Sequence, residues 1–143
     1  MLRVSVRLVS LLVLSVLLSG CGGPSPSRVV KRAADAVLQE DLSGIEKNFR
    51  SDADSRKLVS DLKTQYFFQI RTDTAFRIRL QKVAYEIESE SIEQEDAATV
   101  TVHVSQADRD EEVTVHVPLK KEDGDWKIDI VELARRIRAA WNG

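Results

Sequence analysis

Between Ala98 and Ile130 the chain alternates apolar and polar residues so regularly that few folds can accept it. Ala98, Val100, Val102 and Val104 take one parity, while Thr99, Thr101, His103 and Ser105 take the other. Val113, Val115, Val117 and Leu119 repeat the pattern. Period two places each apolar set on one face of a strand. A turn at Asp108-Arg109 pairs Val104 with Val113 and Val102 with Val115, so the two apolar sets meet on one side of a hairpin. Asp123-Gly124 is a strong two-residue turn signal, and it pairs Leu119 with Ile128 and Val117 with Ile130. An antiparallel meander with one apolar face needs a second layer to cover it.

Helices supply that cover. Val30, Ala33, Ala34 and Val37 recur at the spacing of one helical face, predicting a helix from Arg28 to Glu40 begun by Ser25-Pro26 or Ser27. Asp41 caps a short second helix carrying Leu42, Ile45 and Phe49. Ser51, Asp52 and Asp54 start a third, from Ala53 to near Gln69, with Val59, Leu62, Tyr66 and Ile70 along one side. After Thr74 the alternation of Phe76, Ile78 and Leu80 predicts a strand. Val83, Tyr85 and Ile87 then fall on the opposite parity, so a β-bulge near Gln81-Lys82 is needed to keep one long bent strand on one face. Glu86, Glu88, Glu90, Glu93, Glu95 and Asp96 read as its solvated acidic end, since the glycine and ligand alternation of a calcium loop are missing. A last helix, Glu132 to Trp141, carries Leu133, Ile137 and Trp141 on one side and Arg135, Arg136 and Arg138 on the other. The expected fold is α+β, with N-terminal helices packed on a curved four-stranded antiparallel sheet and a C-terminal helix.

The first twenty residues follow a different logic. Arg3 and Arg7 precede an apolar run from Leu8 to Leu18, too short for the roughly 20 residues of a membrane span and suited to a signal segment. The run ends in Leu18-Ser19-Gly20-Cys21, which resembles the lipobox of bacterial lipoprotein precursors. That resemblance implies cleavage between Gly20 and Cys21, with lipid attachment at Cys21. Residues 1–20 are then a signal peptide, 21–27 a lipidated cysteine and tether, and 28–143 the folded domain. Two or three acyl chains anchor a protein stably where one is marginal. The implied place is the cell envelope, with the domain held to a membrane by acyl chains on Cys21. Gly22 occupies the position where Asp would signal inner-membrane retention. A host with two membranes would thus hold the protein in the outer membrane facing the periplasm, and a host with one on the outer face of the cytoplasmic membrane.

Charge removes other classes. The chain has 21 Lys and Arg against 23 Asp and Glu, so no broad basic surface for nucleic acid is expected. Loss of Arg3 and Arg7 with the signal takes the net charge from −2 to −4. One cysteine forms no internal disulfide.

The first helix ending at Glu40-Asp41, the pair Ile45 and Phe49, the acidic turn leading into Ala98-Thr99-Val100-Thr101-Val102, and Asp123-Gly124-Asp125-Trp126-Lys127-Ile128 together resemble the nuclear transport factor 2-like superfamily. Within it the chain is similar to small uncharacterised bacterial lipoproteins. The resemblance spans residues 28–130 and implies a cone-shaped fold whose curved sheet wraps a helix. The closing helix departs from the many members that end at the preceding strand.

Catalytic members of that superfamily place acids and bases among apolar walls inside the cone. Here the inward sheet positions are aliphatic or aromatic, with Tyr85 the polar exception and Lys121 at the rim. Asp35 and Asp61 fall away from the apolar stripes of their helices. Tyr66, Tyr85 and Trp126 are the candidate pocket residues, and no catalytic residue is assigned. His103 and His116 share the outward face as diagonal neighbours about 7–8 Å apart, but Thr101 and Thr114 beside them are poor zinc ligands. Neither a metal nor a cofactor is expected. The leading expectation is a non-enzymatic, membrane-tethered module with an envelope protein partner. The alternative is a pocket for a small apolar ligand, with or without simple isomerase-like or dehydratase-like acid–base chemistry. A cavity of roughly 300 Å³ or more would favour that alternative.

Overall fold

The computed structural model describes residues 23–142. The signal segment, its cleavage point between Gly20 and Cys21, and the lipid site at Cys21 lie outside the described residues. The elements run α1 (Pro26–Leu38), α2 (Leu42–Glu46), α3 (Ala53–Thr72), α4 (Thr74–Gln81), β1 (Val83–Gln94), β2 (Ala97–Gln106), β3 (Glu111–Glu122), β4 (Asp125–Ile128) and α5 (Ile130–Trp141). The strands form one antiparallel sheet in the order β1-β2-β3-β4, with α1 on its apolar face. Among the described residues no helix is long and apolar enough to cross a membrane.

Capping sets the helix boundaries. Ser25 Oγ accepts from the Arg28 amide at 3.3 Å, and Pro26 sits in the first turn, where its missing N–H costs nothing. The helix therefore starts two residues inside the expected tether. Asp41 caps α2 through the Gly44 amide at 3.0 Å, and Asp52 caps α3 through the Ser55 amide at 3.0 Å.

The hairpins have the register read from the alternation: Val104 faces Val113, Val102 faces Val115, and Leu119 faces Ile128. Val100 and Leu119 are 0 and 1% exposed and form the dense part of the core with Val29, Val30 and Ala33 of α1, and Ala98 beside them is 2% exposed. Asp123 and Gly124 both take positive φ, 52° and 84°, as the tight turn requires. The outer edge of β4 is not left bare. Ile128 N donates to Asn48 O at 2.8 Å and Arg50 N donates to Ile128 O at 3.1 Å, so the segment after α2 pairs with that edge.

Three expectations are corrected. Phe76, Ile78 and Leu80 lie on a helix, α4, and not on a strand. Asp73 accepts from the Phe76 amide at 3.0 Å and starts the helix, whose spacing of four brings Phe76 and Leu80 to the inner side and leaves Ile78 48% exposed. No bulge is needed at Gln81-Lys82. The register shifts fall instead between Ile87 and Ser89 and between Ile92 and Gln94. Ile130 does not pair with Val117 either. Asp129 accepts from the Glu132 amide at 3.2 Å, capping α5 so that Ile130 is its first residue.

Candidate functional site

The inner face of the sheet and the facing side of α1 do not close on each other completely. An open cavity of about 310 Å³ remains beside their packed contact, walled by Val30, Ala33, Ala34, Val37 and Leu38 of α1 and by Val102, Val104, Val115 and Val117 of the sheet. Leu80, Val83, Tyr85, Phe49, Ile128, Ile130 and Leu133 complete the lining. Among the described residues Tyr85 brings the lining's only polar side-chain group.

That hydroxyl is already engaged. It donates to Asp35 Oδ1 at 2.5 Å and lies 3.3 Å from the Lys31 carbonyl, while Lys31 Nζ donates to Asp35 Oδ2 at 2.7 Å. Asp35 thus faces the sheet edge through Tyr85, closer to the cavity than its helical position predicted. The hydrogen bond from Lys31, and next that from Tyr85, hold the Asp35 carboxyl below its ordinary range. Burial, followed by the neighbouring Asp35 carboxylate, pushes the Tyr85 phenol up. Both shifts move away from neutrality. A carboxylate made a weaker base and a phenol made a weaker acid are poorly matched to proton transfer near pH 7.

Tyr66, Tyr85 and Trp126 line three different cavities. Tyr66 borders an apolar hollow of about 300 Å³ between α3 and the α1–α2 corner, with Leu62, Val59 and Val37. Its hydroxyl donates to the Val37 carbonyl, and its ring meets Phe76 edge-on at 6.2 Å, so it fastens α3 and α4 to the end of α1. Trp126 borders a polar cavity of about 530 Å³ beside α1 and α2, and Lys121 Nζ lies 5.1 Å from its ring centroid. Asp61 is exposed. The sequence placed Tyr85 inward by its parity and set Asp35 aside as lying off the apolar stripe; the i, i+4 spacing from Lys31 was the signal for its place beside Tyr85.

On the outward face His103 is flanked by two carboxylates, with Nδ1 3.8 Å from Glu88 Oε1 and Nε2 3.6 Å from Glu112 Oε2. Opposite ring nitrogens face the two carboxylates, so they cannot share one ion with the ring. His116 Nδ1 is 3.1 Å from Thr101 Oγ1. No set of three such groups is placed to hold a metal ion among the described residues.

An NTF-2 like protein of unknown function from Shewanella oneidensis MR-1 superposes with a TM-score of 0.50 over 71% of this chain and 89% of that one, at 12% identity. The fold is nuclear transport factor 2-like. No protein-family model matches the chain, and no curated protein does. In this nuclear transport factor 2-like fold the 310 Å³ cavity lies where the sheet meets the helix it covers.

Proposed function

We propose that the domain binds a small apolar ligand without transforming it, while held in the cell envelope by lipid on Cys21. The observation that carries this reading is the cavity of about 310 Å³, large enough for a small ligand and lined almost wholly by aliphatic side chains. Binding there is driven by burial of apolar surface, worth about 25 cal/mol per Å². The Tyr85 hydroxyl, tied to Asp35, offers a ligand one oriented polar contact and no general base. The lipobox-like Leu18-Ser19-Gly20-Cys21 supports the anchor.

A second reading, docking of an envelope protein, has in its favour Leu62, Phe68 and Ile78, exposed at 44, 66 and 48% on α3 and α4. Mass spectrometry of small molecules that co-purify with the full-length protein from native membranes separates the two. A reproducible apolar molecule, lost in an Ala34→Leu variant that fills part of the cavity, supports the ligand reading. A protein partner with no such molecule overturns it.

A further inference from the structure

The segment before α1 is docked against the domain. A Cβ on Gly23 would lie 2.6 Å from Asp125 Oδ1, so this backbone runs directly against the β3–β4 turn. Ser25 and Pro26 already belong to the start of α1. With Cys21 lipidated, as proposed above, only Gly22 separates it from this docked backbone, a reach of at most about 7 Å. The acyl chains then leave the domain beside Asp125 instead of at the end of a free tether.

Around that point lies the polar cavity of about 530 Å³, whose walls include Pro24, Arg32, Lys47, Trp126 and Lys127. Two of its carboxylates are engaged, Asp35 by Lys31 at 2.7 Å and Asp41 by the α2 cap, while Asp125 lies beside Gly23 with no ion pair among the described residues. Arg32 and Lys47 are exposed and form no ion pair among the described residues. Cations next to a half-buried indole suit headgroup depth, where ammonium and guanidinium groups pair with phosphate and the indole straddles the boundary. The acidic turn at Glu95-Asp96 shares this end of the sheet but joins β1 to β2, about 10 Å or more across the sheet from β4.

The other end of the sheet is the open one. Exposure rises from 0% at Val100 and 1% at Leu119 to 59% at Val113 beside the β2–β3 turn. Leu80, Val83 and Val104 line the apolar cavity at that far end.

We infer that the face carrying Arg32, Lys47 and Trp126 rests on phospholipid headgroups, standing the domain upright so that its apolar cavity opens away from the anchoring bilayer. This rests on the lipid-anchor reading. It makes the binding role directional, because the ligand enters from the side opposite the protein's own membrane.

Acylation consumes the thiol of the single native cysteine, so an introduced cysteine is the one reactive thiol in the full-length lipoprotein. The test reconstitutes that protein in vesicles of phosphatidylethanolamine and phosphatidylglycerol containing a lipid with a nitroxide on its headgroup. Bimane is placed on Lys47→Cys or on Val113→Cys, and in a third sample Trp126 emission, isolated by Trp141→Phe, reports with the face unaltered. Quenching several-fold stronger at positions 47 and 126 than at 113 is expected. Equal quenching, or stronger quenching at 113, overturns the orientation even when the protein carries labelled palmitate and floats with the vesicles. Absence of palmitate label and of flotation overturns the lipid-anchor reading, and the orientation falls with it.

Discussion

Tyr85 on β1 donates its hydroxyl hydrogen to Asp35 on α1 at 2.5 Å, joining the first strand to the helix that the sheet wraps. The bond sits at the edge of the apolar cavity and engages the one polar side-chain group in its lining among the described residues. Tyr85→Phe keeps the ring and removes the donor. It is expected to cost about 1 kcal/mol of stability. It also removes one of the two hydrogen bonds that hold the Asp35 carboxyl down, so the Asp35 pKa rises toward its ordinary value. Urea unfolding and carboxyl-carbon NMR titration measure both effects, and apolar-ligand affinity stays within a few-fold if the hydroxyl serves structure more than binding.

Acid should weaken the fold through several carboxylates at once. Asp52 is held low first by the Ser55 hydroxyl, Asp41 by the Gly44 amide, Glu122 by the Ser51 hydroxyl, and Glu132, lowered to about 2, by Arg135. Each folded pKa lies below its unfolded value, so the unfolded chain binds more protons on acidification. The stabilisation is complete above the unfolded values of 3.8 for Asp and 4.5 for Glu and is lost as pH falls through the folded ones. Urea midpoints are expected to be flat from neutrality to about pH 5 and to fall steadily below it. Glu132→Gln should flatten the part of that fall between pH 4.5 and about 2.

Core substitutions should track burial along the sheet. Leu119, 1% exposed, packs where the sheet meets α1, and Leu119→Ala is expected to cost about 2–5 kcal/mol. Val113, 59% exposed on the same strand, should lose less than about 0.5 kcal/mol as Val113→Ala. Paired chemical denaturation curves compare them.

Gly124 holds a φ of 84° with nothing within 4 Å of where a Cβ would stand. Gly124→Ala therefore meets no clash, and its cost is conformational, about 1–2 kcal/mol. A lowered melting temperature with an unchanged hairpin register in NMR checks this origin.

The parts of the fold that were legible in the sequence are those where period and packing agree. Val102 and Val115 face each other because alternation over two strands leaves one register that buries both sets. The segment from Phe76 to Leu80 misled because three apolar residues at spacing two include a pair at spacing four, and α4 buries none of its residues fully. Asp73, the cap, was the signal that distinguishes the two. Asp129 played the same part at Ile130. The cavity was partly legible, since parity placed Tyr85 inward. Its volume was not, because a void depends on how closely α1 approaches the sheet, and no local pattern encodes that distance.

The most direct measurement is titration of the full-length protein with an environment-sensitive apolar dye, comparing the native chain with Ala34→Phe and Val104→Phe, which fill the cavity from opposite walls, and with Phe68→Ser, which alters an exposed apolar residue outside it. Saturable one-to-one binding that is lost in both cavity-filling variants and kept in Phe68→Ser, with all four proteins folded by circular dichroism, is the predicted result. Dye binding unchanged by either filling substitution, or abolished by Phe68→Ser alone, would contradict the cavity as the binding site.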